Sequence, residues 1–144
     1  MIDSGANGKN KRKKCPYIAQ MKVLIVDDES DFATALSERL QLRGYEAEAV
    51  FSAQDGFAAF TNNPPDIVFL DVRMPGVDGI TAFNEFKKIN PNVEIVLISG
   101  QLHTNENLDR VKEFAFDFLV KPVDISDIIK KIKEVSARKN AAEI

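Results

Sequence analysis

The chain has little with which to cross-link itself, span a bilayer or grip nucleic acid. Its 144 residues include one cysteine, Cys15, so no intramolecular disulfide can form and a reducing compartment is expected. No apolar run approaches the roughly 20 residues that cross a membrane. The stretch 15–20 is too short and mixed for the apolar core of a secretory signal. A soluble cytoplasmic protein with no membrane association is therefore expected. No internal repeat is visible. The single histidine, His103, lies in a polar segment and reads as an ordinary loop residue.

Basic residues are concentrated at one end. The formal net charge is −3, yet residues 1–20 carry Lys9, Lys11, Arg12, Lys13 and Lys14 against Asp3. That leader is net +4, which leaves −7 for the remainder. An acidic body argues against direct nucleic-acid binding, which needs clustered Lys and Arg. Residues 1–20 lack hydrophobic periodicity and read as a disordered, solvated tail. Met21-Lys22-Val23 looks like a chain start, so the tail reads as an added leader or an upstream extension. The expected division is a 1–20 tail, one folded domain over 21–137 and a 138–144 tail, a length that supports one sizeable core.

What is present is a run of short apolar segments, each closed by a polar residue. Val23-Leu24-Ile25-Val26 ends in Asp27-Asp28, Ile67-Val68-Phe69-Leu70 in Asp71, Ile95-Val96-Leu97-Ile98 in Ser99, and Phe118-Leu119-Val120 in Lys121. Such runs, alternating with helical stretches, read as strands buried on both faces of a parallel sheet. Residues 45–50 alternate apolar residues with Glu46 and Glu48, as suits an edge strand. Helical faces follow: Phe32, Leu36 and Leu40 before Gly44; a segment starting at Ser52; Phe83 and Phe86 ahead of Pro91; a weaker one around Leu108, Val111 and Phe114; and Ile125, Ile128, Ile132 and Val135. Residues 74–79 read as a loop. The result is α/β: a single doubly wound (β/α)5 domain, flavodoxin-like, with strand order 2-1-3-4-5.

Parallel strands direct their carboxyl ends to one edge, so three carboxylates, a hydroxyl and an ammonium converge there. Asp27 and Asp28 precede a helix and would serve equally as caps, and Asp71 alone would suit a turn. Together, three ionised carboxylates need a cation, and hard oxygen ligands with room for water suit Mg2+. A carboxylate can attack phosphorus to give an aspartyl phosphate, a reaction governed by positioning and charge neutralisation. Lys121 offers a point charge for a phosphoryl oxygen, and Ser99 either a hydrogen bond to that oxygen or a cap for the next helix.

The motifs Val-Asp-Asp, Leu-Asp-Val-Arg-Met-Pro-Gly-Val-Asp-Gly, Ile-Ser-Gly and Asp-Phe-Leu-Val-Lys-Pro, in this order, resemble the receiver (CheY-like) domain of two-component response regulators. The resemblance implies that Asp71 is the phosphoacceptor, that Asp28, Asp71 and the Arg73 main-chain carbonyl bind Mg2+, and that Asp27 acts through water. It implies that Ser99 and Lys121 are the conserved hydroxyl and lysine, that Phe118 is the switch aromatic, and that Lys121-Pro122 is cis. It further implies a phosphorelay switch rather than a turnover enzyme. The phosphodonor would be a histidine kinase or histidine phosphotransfer protein, and output would pass through the surface of the fourth helix, fifth strand and fifth helix. An effector domain, a docking protein or a phosphorylation-linked dimer could read that surface.

The chain departs from the family at Gly100, where Ala is common, and at Phe114, where Gly is usual, so crowding is expected near the fifth strand. Arg73 and Gln101 hold rim positions that influence phosphoryl lifetime. Two other functions compete. A small phosphatase using Asp71 would need a cap region and a further acid or base, and neither is visible. A nucleotide or flavin module would need a G-x-G-x-x-G or Walker-type loop after the first strand, and none is there.

Overall fold

A computed structural model of the chain describes residues 21–73, 79–100 and 113–143. The 1–20 tail, the 74–78 loop, the 101–107 segment with Gln101 and His103, and Leu108 and Val111 of the fourth predicted helix lie outside the described residues. Five strands, β1 (Lys22–Val26), β2 (Glu46–Val50), β3 (Ile67–Asp71), β4 (Glu94–Ser99) and β5 (Asp117–Val120), form one parallel sheet in the order β2-β1-β3-β4-β5. This is the order expected from the sequence.

The apolar runs are continuous because successive residues enter two different cores. Leu24, Val26, Val68, Leu70, Ile95 and Leu97 face one side. Val23, Ile25, Ile67, Phe69, Val96 and Ile98 face the other. Side chains alternate across a strand, so a strand covered on both faces has no polar side. Four helices complete the described fold: α1 (Ser30–Leu42), α2 (Ala53–Asn62), α3 (Gly79–Ile89) and α4 (Ile125–Glu143). Leu36 and Leu40 of α1 and Ile128, Ile132 and Val135 of α4 cover one face. Phe60 of α2 and Phe83 and Phe86 of α3 cover the other. There the Phe86 ring stacks on Phe60 at 5.1 Å and tilts against Phe57 at 5.0 Å.

Local chemistry sets the helix ends. The Ser52 hydroxyl accepts the Asp55 amide at 3.1 Å, capping α2 as its spacing predicts. Gly44 follows α1 with φ 94°, a conformation that favours glycine. On β2, Glu46 and Glu48 are exposed while Ala47 and Ala49 are half-buried, the signature of an edge.

Two sequence expectations fail near β5. Phe118-Leu119-Val120 is not buried on both faces: Phe118 and Leu119 are half-buried and Val120 is exposed. The reason is position, because β5 is the other edge and pairs only with β4. Phe114 is 71% exposed and belongs to neither core cluster of the described residues, so the expected crowding is not seen among them. Phe116 and Phe118 do pack, against opposite cores.

The last helix runs past residue 137 to Glu143. Its Arg138 pairs with Glu94 at 3.3 Å and lies 5.2 Å from the Phe116 ring centroid. Nearly two helical turns earlier, Lys131 pairs with Asp117 and, at 3.2 Å, with Glu134. Among the described residues no helix is long and apolar enough to cross a membrane.

Candidate functional site: an acidic cleft at the strand ends

Ladder hydrogen bonds carry the backbone from the sheet directly into the site. The Asp27 amide donates to Val50 O at 3.1 Å, the Val72 amide to Ile98 O at 3.0 Å, and the Lys121 amide to Ser99 O at 2.8 Å. Asp71 sits opposite Ile98, and Ser99 opposite Val120. The sheet thus fixes where Asp27, Asp71, Ser99 and Lys121 begin before any side chain acts. Of these, Asp71 and Lys121 line a cleft of about 610 Å³ together with Asp28, Glu29, Phe32, Arg73 and Gly100.

Asp27, Asp28 and Asp71 each bring one carboxylate oxygen within 4.8 Å of the others. Asp27 and Asp71 are buried and Asp28 is exposed. Two of the three are held by backbone amides two residues on: Asp27 Oδ1 accepts from Glu29, and Asp71 Oδ1 from Arg73, both at 2.9 Å. The acidic pair does not cap α1. Glu29 occupies the N-cap position and makes no side-chain cap bond there.

Lys121 reaches into this cluster. Its ammonium lies 2.9 Å from Asp27 Oδ2 and 3.6 Å from Asp71 Oδ2, pairs with Glu29, and rests 4.9 Å from the Phe32 ring centroid. Burial weakens that ammonium, but the Glu29 and Asp27 carboxylates outweigh it and hold its pKa above the ordinary lysine value. Burial pushes the Asp71 carboxyl up to about 6. The Asp27 carboxylate adds to the rise, while the Arg73 amide and Lys121 oppose it.

Three carboxylates therefore meet one ammonium, with Asp28 as a fourth in the cluster, and Asp27 Oδ2, buried, accepts no well-aligned hydrogen bond despite the ion pair. A donor set made of hard oxygens, with excess negative charge and an open cleft, fits a divalent cation that keeps part of its water shell.

The structure gathers Asp27, Asp28, Asp71, Arg73 and Lys121 at one cleft, with Ser99 fully buried at the adjoining strand end. Phe118 stands further down β5, half-buried against the core shared by Leu97 and Phe83. Lys121-Pro122 is cis. Sequence reasoning missed Glu29 and Phe32 as neighbours of Lys121. Glu29 and Lys121 are 92 positions apart, and no periodicity links them.

Comparison with known proteins agrees with this geometry. The family described as response regulator receiver domain matches residues 23–133. The transcriptional regulatory protein PrrA of Mycobacterium tuberculosis is 26% identical over 86% of this chain, which spans 53% of that relative. The chain spans about half the length of that curated relative, and 23% of the Escherichia coli regulatory protein AtoC, to which it is 29% identical. Among solved structures, a response regulator receiver domain from Clostridium thermocellum superposes with a TM-score of 0.76 at 31% identity, covering 85% of this chain and 98% of that one. The response regulator TrrA of Thermotoga maritima, solved in complex with Mg2+ and BeF, superposes at 0.70 with 28% identity, covering 80% of this chain and 98% of that one. With the five-stranded order, the acidic triad and Lys121 in place, the chain belongs to the response regulator receiver domain family.

Proposed function

We propose that this domain is the phosphoacceptor switch of a two-component phosphorelay, and that Asp71 is the residue modified. The observation that carries this reading is the placing of a buried Asp71 carboxylate at the cleft floor, 3.6 Å from the Lys121 ammonium and beside two further carboxylates. Asp71 Oδ1 is occupied by the Arg73 amide, which leaves Oδ2, the oxygen facing Lys121, as the nucleophile. A phosphorus–oxygen bond forms there as the bond from phosphorus to the donor breaks. The donor's electron pair leaves with an imidazole of a histidine kinase or phosphotransfer protein, or with acetate from acetyl phosphate.

Asp28, Asp71 and the Arg73 main-chain carbonyl would hold Mg2+, with Asp27 acting through water. Bound there, the ion neutralises charge on the carboxylates and on the transferring group. Lys121 binds a phosphoryl oxygen, and the Ser99 hydroxyl donates to another. Movement of Ser99 gives Phe118 room to turn inward, which alters the surface that β5 and α4 share with the segment preceding β5.

The domain accepts one phosphoryl group and has no role for turnover of external substrates. Its readers are an effector domain, a docking protein or a second phosphorylated copy, with no nucleic acid bound by this domain itself. On this reading the domain works in the cytoplasm. Intact-protein mass spectrometry after acetyl phosphate and Mg2+ tests the assignment: wild type gains one phosphoryl mass and Asp71→Asn gains none. Equal incorporation by both would remove Asp71 from the role.

A further inference from the structure

We propose that Glu29 is a built-in stand-in for the phosphoryl group: it holds Lys121 at rest and is the carboxylate displaced when phosphate joins Asp71. This inference rests on the phosphoacceptor reading of Asp71. An ammonium has three N–H donors. Lys121 has three anionic neighbours, Asp27, Glu29 and Asp71, with the Phe32 ring closing a further side. Among the described residues only Glu29 accepts a hydrogen bond from that ammonium, Asp27 and Asp71 being ion-pair neighbours, so a phosphoryl oxygen competes for Lys121 with a carboxylate that must give way.

The three are not equally free to do so. Asp27 and Asp71 are buried, and each has its other oxygen held by a backbone amide at 2.9 Å. The Glu29 side chain is 62% exposed and makes no helix-cap bond. Water stabilises its carboxylate as soon as it swings out, so Glu29 is the partner that leaves. Until then its charge stands at the cleft mouth, where it also opposes any incoming anion. Glu29 touches Lys121 and no reacting atom, so it is a positioning residue. Its effect is to make a small anionic donor compete for Lys121. A protein donor, bound by its own surface, brings binding energy enough to displace it.

The test titrates beryllofluoride, with Mg2+ present, into wild type, Glu29→Gln, Glu29→Asp and Asp31→Asn. Saturation is followed through backbone amide signals, and Lys121 through its Cε–Hε NMR signal. Asp31 is an exposed acid in the first turn of α1 that does not contact Lys121, so its variant measures charge alone. Glu29→Gln should lower the half-saturating concentration about two- to fivefold, the range of an exposed ion pair, and shift the Lys121 signal in the unliganded protein. Glu29→Asp keeps the charge but is one methylene shorter, and should behave like Glu29→Gln. Asp31→Asn should leave both readouts near wild type. If Glu29→Asp matches wild type, or Asp31→Asn matches Glu29→Gln, the effect is through-space charge and the stand-in role is overturned. If wild type itself shows no saturable response centred on Asp71, the phosphoacceptor reading has failed, and this inference falls with it.

Discussion

Gly79 lies so close to Val72 that a Cβ on the glycine would stand 2.3 Å from the valine Cα and 2.9 Å from its carbonyl oxygen. The Gly79 amide also donates to that oxygen at 3.2 Å. Val72 directly follows Asp71, so the first residue of α3 pins the backbone behind the Asp71 carboxylate. The obstruction is backbone on both sides and cannot rotate away. Gly79→Ala should therefore lower stability by about 1–3 kcal/mol, as overpacking does. Gly100→Ala has no heavy atom within 4 Å of the new methyl and should stay within about 0.5 kcal/mol of wild type. Urea midpoints of the two variants, measured side by side, check the contrast.

Asp71 makes the metal-free fold depend on pH in an unusual direction. Its carboxyl titrates at about 6 in the folded protein against 3.8 for the ordinary group, chiefly through burial. A raised acid binds its proton more tightly when folded, so stability is lost as pH rises from about 4 through about 6. Without divalent cations, Asp71→Asn should then be more stable than wild type at pH 7.5, by on the order of 3 kcal/mol. The gap should close below pH 4. Mg2+ should reverse the ranking by stabilising wild type alone, since the unfolded chain has no formed site. Urea titrations in chelator at pH 4 and 7.5 decide it, and an asparagine variant no more stable at pH 7.5 contradicts it.

The switch assigned to Ser99 and Phe118 has its own readout. Beryllofluoride should move amide signals of Phe118 and of the first turns of α4 as well as those lining the cleft. Ser99→Ala should shrink the distant shifts while Asp71 still takes up phosphate from acetyl phosphate. Undiminished shifts in Ser99→Ala would take the hydroxyl out of the coupling.

How far the residues alone reach can be traced element by element. The strand order was legible because Glu46 and Glu48 sit on alternate residues of β2, whereas β1, β3 and β4 carry uninterrupted apolar runs. Parallel pairing then placed Asp27, Asp71, Ser99 and Lys121 at one edge without any knowledge of side-chain positions. The burial of β5 was misjudged because three apolar residues look alike in a central strand and at an edge. The exposure of Phe114 was out of reach because a comparison with glycine at that position gives the size of the side chain and not the direction its ring takes. The grip of Glu29 on Lys121 was out of reach, because it depends on how far the side chains that follow β1 and β5 reach across the ends of the two strands between them.

The contacts of α4 with the start of β5 have a mechanical consequence. Asp117 is held by Lys131, the Phe116 ring by Arg138, and Arg138 also grips Glu94 at the start of β4. All of these lie at the amino ends of the two strands. The carboxyl end of β5 has an exposed Val120 and leads into Lys121, whose ammonium is held by Asp27, Glu29 and the Phe32 ring. A four-residue strand spans about 13 Å. Side-chain ion pairs fasten β5 only at its amino end, while the ladder to β4 runs on to the Lys121 amide, so a pull on the Lys121 ammonium should act first on this margin of the sheet.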